Sequence, residues 1–185
     1  IKFALGENVK ESNRSSPSTR YPQTRMGVEQ LLIDAFAQAA DYAAQDPRTR
    51  RRDLRLEALA ELLAGPRSIH VHSYRADEIL MFAGLARELK LKVAAFQHVL
   101  EGYKVAGTIA ALGAGASTFS DWWGFKAESA DAVVGNAGML AQAGVLTSLN
   151  SDDAELARRL NSEAAKALRD GRLSPEQALA LVTLN

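Results

Sequence analysis

The sequence predicts an α/β fold built on a parallel sheet. From residue 67 onward, short apolar segments alternate with segments that carry apolar residues at helical spacing. Strands that alternate with single helices pair in parallel through right-handed crossovers. Gly65, Gly113 and Gly144 each fall between a predicted helix and the next strand, where helix ends favour glycine. The chain has 185 residues with 47% hydrophobic content, so it can bury a substantial core.

The predicted elements follow one another in a regular order. The opening strand, 1–6, precedes a long polar loop, 7–25, and Ser174 and Pro175 are the expected N-cap and first residue of the last helix. Five strands are fewer than the eight of a complete (β/α)8 barrel, which takes about 250 residues. We expect one domain over residues 1–185. The predicted strands are 1–6, 67–72, 92–97, 115–119 and 145–150, and the predicted helices are 26–45, 54–63, 76–89, 103–112, 128–143, 153–169 and 175–183.

Composition excludes several classes of partner. The chain contains 22 basic and 22 acidic residues, so no charge excess points to nucleic acid or to an anionic membrane surface. No run of about eighteen apolar residues, the length of a membrane span, is present. The absence of cysteine excludes disulfides and thiolate metal sites. We therefore expect a small-molecule partner, with no nucleic acid and no membrane.

All three histidines lie in or at the end of a predicted strand. In the strand 67–72, Ile69 and Val71 share one face, and His70 and His72 share the other. His98 closes the next strand, and Asp152 follows the strand 145–150. In parallel α/β folds the C-terminal ends of the strands form the edge where ligands bind.

The spacing of His72 and His98 indicates a metal site. Each histidine alone is more simply explained as a hydrogen-bonded core residue. Together they end neighbouring parallel strands, which lie about 4.8 Å apart, so both rings can reach one ion. His70 lies two residues, or about 6.6 Å, deeper along its strand and is expected to pack below the site.

Asp152 has two possible roles. It can cap the helix that follows, but Asp153 can do so equally well, which would leave Asp152 to accept a proton from a metal-activated water. Lys2 is also hard to explain as packing, because a buried ammonium is costly. It either extends to a strand end or becomes a carbamate that bridges metal ions, and Glu7 is the other candidate for that bridge.

Residues just beyond the strand ends are candidates for substrate contact. Tyr74 and Arg75 follow the first histidine strand, and Tyr103 follows the second. Trp122, Trp123 and Phe125 come after the fourth strand, where ordinary loop packing explains aromatic residues equally well.

The sequence resembles the amidohydrolase superfamily, most closely its imidazolonepropionase-like and prolidase-like metal-dependent hydrolases. The resemblance is carried by the opening segment Ile1-Lys2-Phe3-Ala4-Leu5-Gly6-Glu7-Asn8, by three short motifs and by the closing segment, in which Ala178-Leu179 and Thr183-Leu184-Asn185 match. It implies strands four to eight of a (β/α)8 TIM-type barrel with one or two divalent ions, and zinc is the ion that we expect. It also implies hydrolysis of carbon–nitrogen bonds in non-peptide amides, cyclic amides or dipeptides. The motifs are His70-Val71-His72, Phe96-Gln97-His98 and Asn150-Ser151-Asp152.

By this resemblance, Lys2 is the carboxylated bridging lysine of strand four, and His72 and His98 are the ligands of strands five and six. Asp152 is the strand-eight ligand and general base. The family's His-x-His pair of strand one has no counterpart here. We therefore expect the C-terminal part of a hydrolase barrel, truncated at both ends, that is inactive alone and needs the rest of the barrel or a homo-oligomer partner. The alternative is a non-catalytic fragment or interaction module that keeps the scaffold.

Overall fold

A computed structural model describes residues 1–10, 19–122 and 124–185 and confirms the α/β class. Much of the predicted loop 7–25, and Trp123, lie outside the described residues. The sheet has five strands in sequential order, and every neighbouring pair is parallel, as in part of a (β/α)8 barrel. The strands are β1 (Lys2–Ala4), β2 (Ile69–Ser73), β3 (Val93–His98), β4 (Gly115–Thr118) and β5 (Thr147–Leu149).

Eight α-helices lie in the described part of the chain, and several of them cover one face of the sheet. Val71 and Phe96 of the strands share a hydrophobic core with the helix residues Phe36, Phe82 and Ile109. Because strand side chains alternate between faces, His70 and His72 point to the opposite face. The helices are α1 (Arg25–Ala44), α2 (Leu54–Leu63), α3 (Ala76–Glu88), α4 (Ala106–Ala111), α5 (Asn136–Gln142), α6 (Ala154–Ala157), α7 (Leu160–Gly171) and α8 (Pro175–Ala180).

Local capping explains where several helices begin and end. Thr24, Asp53 and Ser174 each accept a hydrogen bond from a backbone N–H in the first turn of α1, α2 and α8. Pro175 is the first residue of α8, as predicted. The three glycines before strands have the positive φ expected of helix ends, at Gly65 (+91°), Gly113 (+69°) and Gly144 (+84°).

Three predicted helices are clearly shorter than expected and a fourth is divided; the last of the three, α8, ends at Ala180 instead of residue 183. The predicted helix 128–143 begins at Asn136, because residues 127–129 form a separate 3₁₀ turn. The predicted helix 103–112 likewise loses its first turn to a 3₁₀ turn over 102–104. The predicted helix 153–169 divides into α6 and α7, because the N–H groups of Arg158 and Arg159 bond three residues back and tighten the chain.

The two outer strands differ in whether another segment is hydrogen-bonded to their outer edge. β1 pairs with β2 alone among the described strands. The outer edge of β5 is bonded to the C-terminal segment: Leu149 N–H donates to the Leu181 carbonyl (2.8 Å), and Asn185 Nδ2 donates to the Thr147 carbonyl (2.9 Å). No helix in the described part of the chain is long and apolar enough to cross a membrane.

Candidate metal centre

His72 and His98 lie in contact at the C-terminal end of the sheet. Their ring centroids are 4.5 Å apart with the planes at 66°, and the residues are 7% and 6% exposed. The strand register pairs His98 with Ser73 rather than with His72, so regular alternation would place His98 on the other face. His98 has a φ of +77°, which ends the alternation and accompanies the turn of its ring toward His72.

Both imidazoles are neutral at neutral pH. Burial lowers the pKa of His72 to about 4 and that of His98 to about 3, and the positive charges of Lys126 and Lys2 act in the same direction. A neutral imidazole is the form that binds a metal ion. His72 Nε2 lies 2.9 Å from Asn8 Nδ2, whereas the buried Nδ1 of His98 has no hydrogen-bond partner among the described residues.

Aromatic rings fix the orientation of the His98 ring. The Tyr74 ring (5.5 Å, 14°) and the Phe119 ring (5.0 Å, 27°) both stack on the His98 ring. Tyr74 also meets the His72 ring edge to face, at 5.0 Å. Trp122 continues the stack from Phe119, with centroids 4.4 Å apart. Tyr74, Phe119 and Trp122 therefore form an aromatic wall beside the histidine pair. Tyr74 and Trp122 were candidates from the sequence, whereas Trp123 lies outside the described residues.

Lys2 and Asp152 line the same cavity of about 370 Å³ as His98. Lys2 is exposed on the edge strand β1, so its ammonium group carries no cost of burial. Glu7 does not line this cavity, and its backbone N–H donates to Glu128 Oε2 (3.1 Å).

Asp153, not Asp152, caps the next helix. Asp153 Oδ1 accepts from the N–H groups of Glu155 (2.9 Å) and Leu156 (2.8 Å). Asp152 is exposed, with a φ of +47°, and its charge opposes the lowering of the pKa of His72. The capping alternative for Asp152 is therefore wrong.

The described residues supply two of the donors that a metal ion needs, but not a complete set. The unpartnered Nδ1 of His98 and the neutral imidazole of His72 are suitable donors. Within residues 1–10, 19–122 and 124–185, no three His, Cys, Asp or Glu side chains come together as a metal-binding group. His72, His98 and Asp152 therefore do not form a compact set of three ligands. His70 lies deeper in β2, where its Nδ1 is 3.2 Å from Gln97 Nε2.

Of the three predicted substrate contacts, Tyr74 touches the histidine pair. The Arg75 guanidinium pairs with Asp77 (3.0 and 3.1 Å), and the Tyr103 hydroxyl donates to the Asp131 carbonyl (3.0 Å). Asn8 was not among the predicted site residues, although its place just after the first strand was a usable signal. Lys126 and Glu128 were not predicted either, because no local pattern distinguishes them from surface residues; Lys126 Nζ lies 4.0 Å from the Tyr74 ring centroid.

One solved structure resembles the whole of this chain. It is the crystal structure of an amidohydrolase from Thermotoga maritima MSB8, with a TM-score of 0.85 and 26% sequence identity. The match covers 98% of this chain and 49% of that one, so the chain spans about half the length of that amidohydrolase. No family model matches the sequence, and neither does any curated protein. The fold is amidohydrolase-like, and the five strands form part of such a barrel.

Proposed function

We propose that this chain is the C-terminal part of a metal-dependent amidohydrolase and that His72 and His98 bind a divalent ion, zinc in the first instance. The observation that carries the proposal is the histidine pair. Two buried, touching imidazoles are neutral at neutral pH, and one has an unpartnered nitrogen. They lie at the sheet edge where parallel α/β folds bind ligands, in an amidohydrolase-like fold.

The proposed substrate has a carbon–nitrogen bond in a non-peptide amide, a cyclic amide or a dipeptide. A bound divalent ion would supply an activated water and polarise the carbonyl group. Asp152 is the proposed proton acceptor, because its exposed carboxylate lines the same cavity as His98. Lys2 is the proposed further ligand, as a carbamate, from the same cavity wall. Tyr74 packs against both histidines and is the best placed of the proposed substrate contacts, which also include Arg75 and Tyr103.

We further propose that this chain needs additional structure to complete the site. Two histidines are fewer donors than a zinc site requires, and β1 has an unpaired edge among the described strands. The rest of the barrel, or a second copy of the chain, would supply the remaining ligands and the other pocket wall. The imidazolonepropionase-like and prolidase-like groups remain our choice within the superfamily, from the sequence motifs.

A second candidate is an interaction module without catalysis. The observation that favours it is the lack of a three-ligand group in the described part of the chain. Such a module would keep the barrel scaffold and bind a partner without turning over a substrate.

Metal titration separates the two candidates. We expect the chain alone to bind about one equivalent of zinc or cobalt weakly by calorimetry, because two histidines hold an ion without completing its coordination, and we expect this binding to be lost in His72→Ala and in His98→Ala. His70→Ala is the matched control, because His70 is bonded to Gln97 and lies below the pair. Equal binding by the wild type and His98→Ala would show that the metal proposal is wrong.

A further inference from the structure

A group of charges with two buried carboxylates lies beside the histidine pair; we call these four residues, Arg25, Glu78, Lys126 and Glu128, the charge cluster. Glu78 and Glu128 are 3% and 2% exposed. Arg25 Nε lies 2.5 Å from Glu78 Oε1, and Arg25 also reaches Glu128 Oε2 at 3.7 Å. Lys126 Nζ lies 2.6 Å from Glu128 Oε1. Glu128 therefore connects the two cations of the cluster.

The first connection runs from Glu128 to His72 through the turn after β1. Glu128 Oε2 accepts a hydrogen bond from Glu7 N–H (3.1 Å). At Gly6, with a φ of +70°, a Cβ atom would lie 2.7 Å from Glu128 Oε2 and 3.0 Å from Glu78 Oε1. Glycine therefore lets both carboxylates approach the turn. Asn8, which follows Glu7 in this turn, places its Nδ2 atom 2.9 Å from His72 Nε2.

The second connection runs from Glu128 to both histidines through Lys126. The Lys126 ammonium, held by Glu128, lies over the Tyr74 ring at 4.0 Å from its centroid. Tyr74 in turn stacks on His98 and meets His72 edge to face. One buried carboxylate therefore binds Glu7, which precedes Asn8, and Lys126, which lies over Tyr74, so it is one residue removed from a contact of each imidazole.

We propose that Glu128 is a positioning residue for the histidine pair: it holds Asn8 against His72 and Lys126 against Tyr74, and so sets the orientation of both rings. Its consequence for metal binding rests on the proposed function, whereas its effect on the rings does not. Groups that orient metal-binding histidines typically change metal affinity by about 10- to 100-fold when they are altered. The Glu128 charge acts on His72 electrostatically in either case, but an ion pair that only stabilises the fold would leave the contact between the two rings, measured by NOEs between them, unchanged in any variant that still folds.

The test uses the complete 185-residue chain without metal, labelled for NMR of the histidine rings. Glu128→Gln keeps the size of the side chain and one acceptor oxygen but removes the charge. We expect shifted ring resonances for His72 and His98, altered NOEs between the two rings, and about tenfold or greater loss of zinc affinity. The matched control is Glu57→Gln, which removes a carboxylate that bonds Arg52 and Tyr42 in the helical layer, and it should change neither. Unchanged histidine resonances in folded Glu128→Gln would overturn the proposal.

Two further variants test the connections separately and cover the case in which Glu128→Gln does not fold. Asn8→Ala, at an exposed position, should shift the His72 ring and leave His98 largely unchanged. Lys126→Met should shift the ring resonances of Tyr74 and His98. If neither variant changes these resonances, Glu128 does not position the pair. Ring shifts in a chain whose wild type binds no zinc would reject the metal site and keep the positioning role. Zinc binding by the wild type, together with unchanged ring resonances in these variants, would keep the metal site and reject the positioning role.

Discussion

His72 and His98 touch through their rings although they are not partners in the sheet register. The register opposes His98 to Ser73, and the positive φ of His98 accompanies the placement of its ring 4.5 Å from that of His72. A residue other than glycine in this backbone region is uncommon, and such residues concentrate at functional sites. The strained backbone and the contact of the two rings thus occur at the same position.

Protonation of the histidine pair should destabilise the metal-free chain in acid. The pKa values are about 4 and about 3 in the folded chain, and about 6.5 when unfolded, so between these values the unfolded state binds more protons. Stability should therefore be complete above pH 6.5 and decrease as the pH falls toward 4. Each histidine should contribute a slope of up to about 1.4 kcal/mol per pH unit.

Urea unfolding of the metal-free chain at pH 7, 6, 5 and 4.5 measures this slope. The variant with both His72→Gln and His98→Gln should show a clearly smaller slope than the wild type. His70→Gln should resemble the wild type. A double variant with an undiminished slope would contradict the assignment of acid sensitivity to this pair.

Truncation of Phe82 should strongly destabilise the chain. Its side chain is fully buried and contacts the rings of Phe3 (6.0 Å) and Phe96 (6.3 Å). Phe82→Ala should cost about 3–5 kcal/mol of unfolding free energy, measured from urea midpoints. The control is Phe125→Ala, because Phe125 is 49% exposed and its removal should cost less than about 1 kcal/mol. Similar costs for the two variants would contradict the position of the core.

Alanine substitutions of Asp152 and Asp153 should have different effects, because Asp152 is a candidate site residue and Asp153 is a structural one. Asp153→Ala removes the cap of α6 and should cost about 1 kcal/mol of stability. Asp152→Ala should leave the thermal midpoint nearly unchanged, because Asp152 is exposed and does not cap the helix. In the completed enzyme it should instead lower turnover of an amide substrate by about 10²-fold or more, the usual contribution of a general base. A larger loss of stability for Asp152→Ala than for Asp153→Ala would reverse these roles.

The 185-residue chain alone should not hydrolyse amides, even with added zinc or manganese. His72 and His98 leave an ion short of donors, so the geometry of an activated water would not be fixed. The measurement is an assay of the purified chain against lactams and dipeptides, with His98→Ala as the control for contaminating activity. Turnover that disappears in His98→Ala would show that the site is complete without further strands.

The sequence by itself determined the fold class and the positions of the strand ends. Alternating apolar segments and glycines at helix ends act over a few residues, so they can be recognised without tertiary contacts. For the same reason the sequence predicted that His72 and His98 end neighbouring strands and that Asp153 can cap α6. It could not predict the start of α5 at Asn136, because the Asn136 side chain bonds to Val99 and Tyr103, which lie more than thirty residues earlier in the chain.

The tertiary structure alone decided how the candidate site is arranged. The face on which His98 lies depends on its backbone φ, which overrides the alternation that a strand pattern implies. The exposure of Lys2 depends on the position of β1 at the sheet edge. Asn8 contacts His72, and Glu128 contacts Glu7, across separations of 64 and 121 positions in the chain. Such contacts have no local signature, because they form only when the chain brings distant turns together.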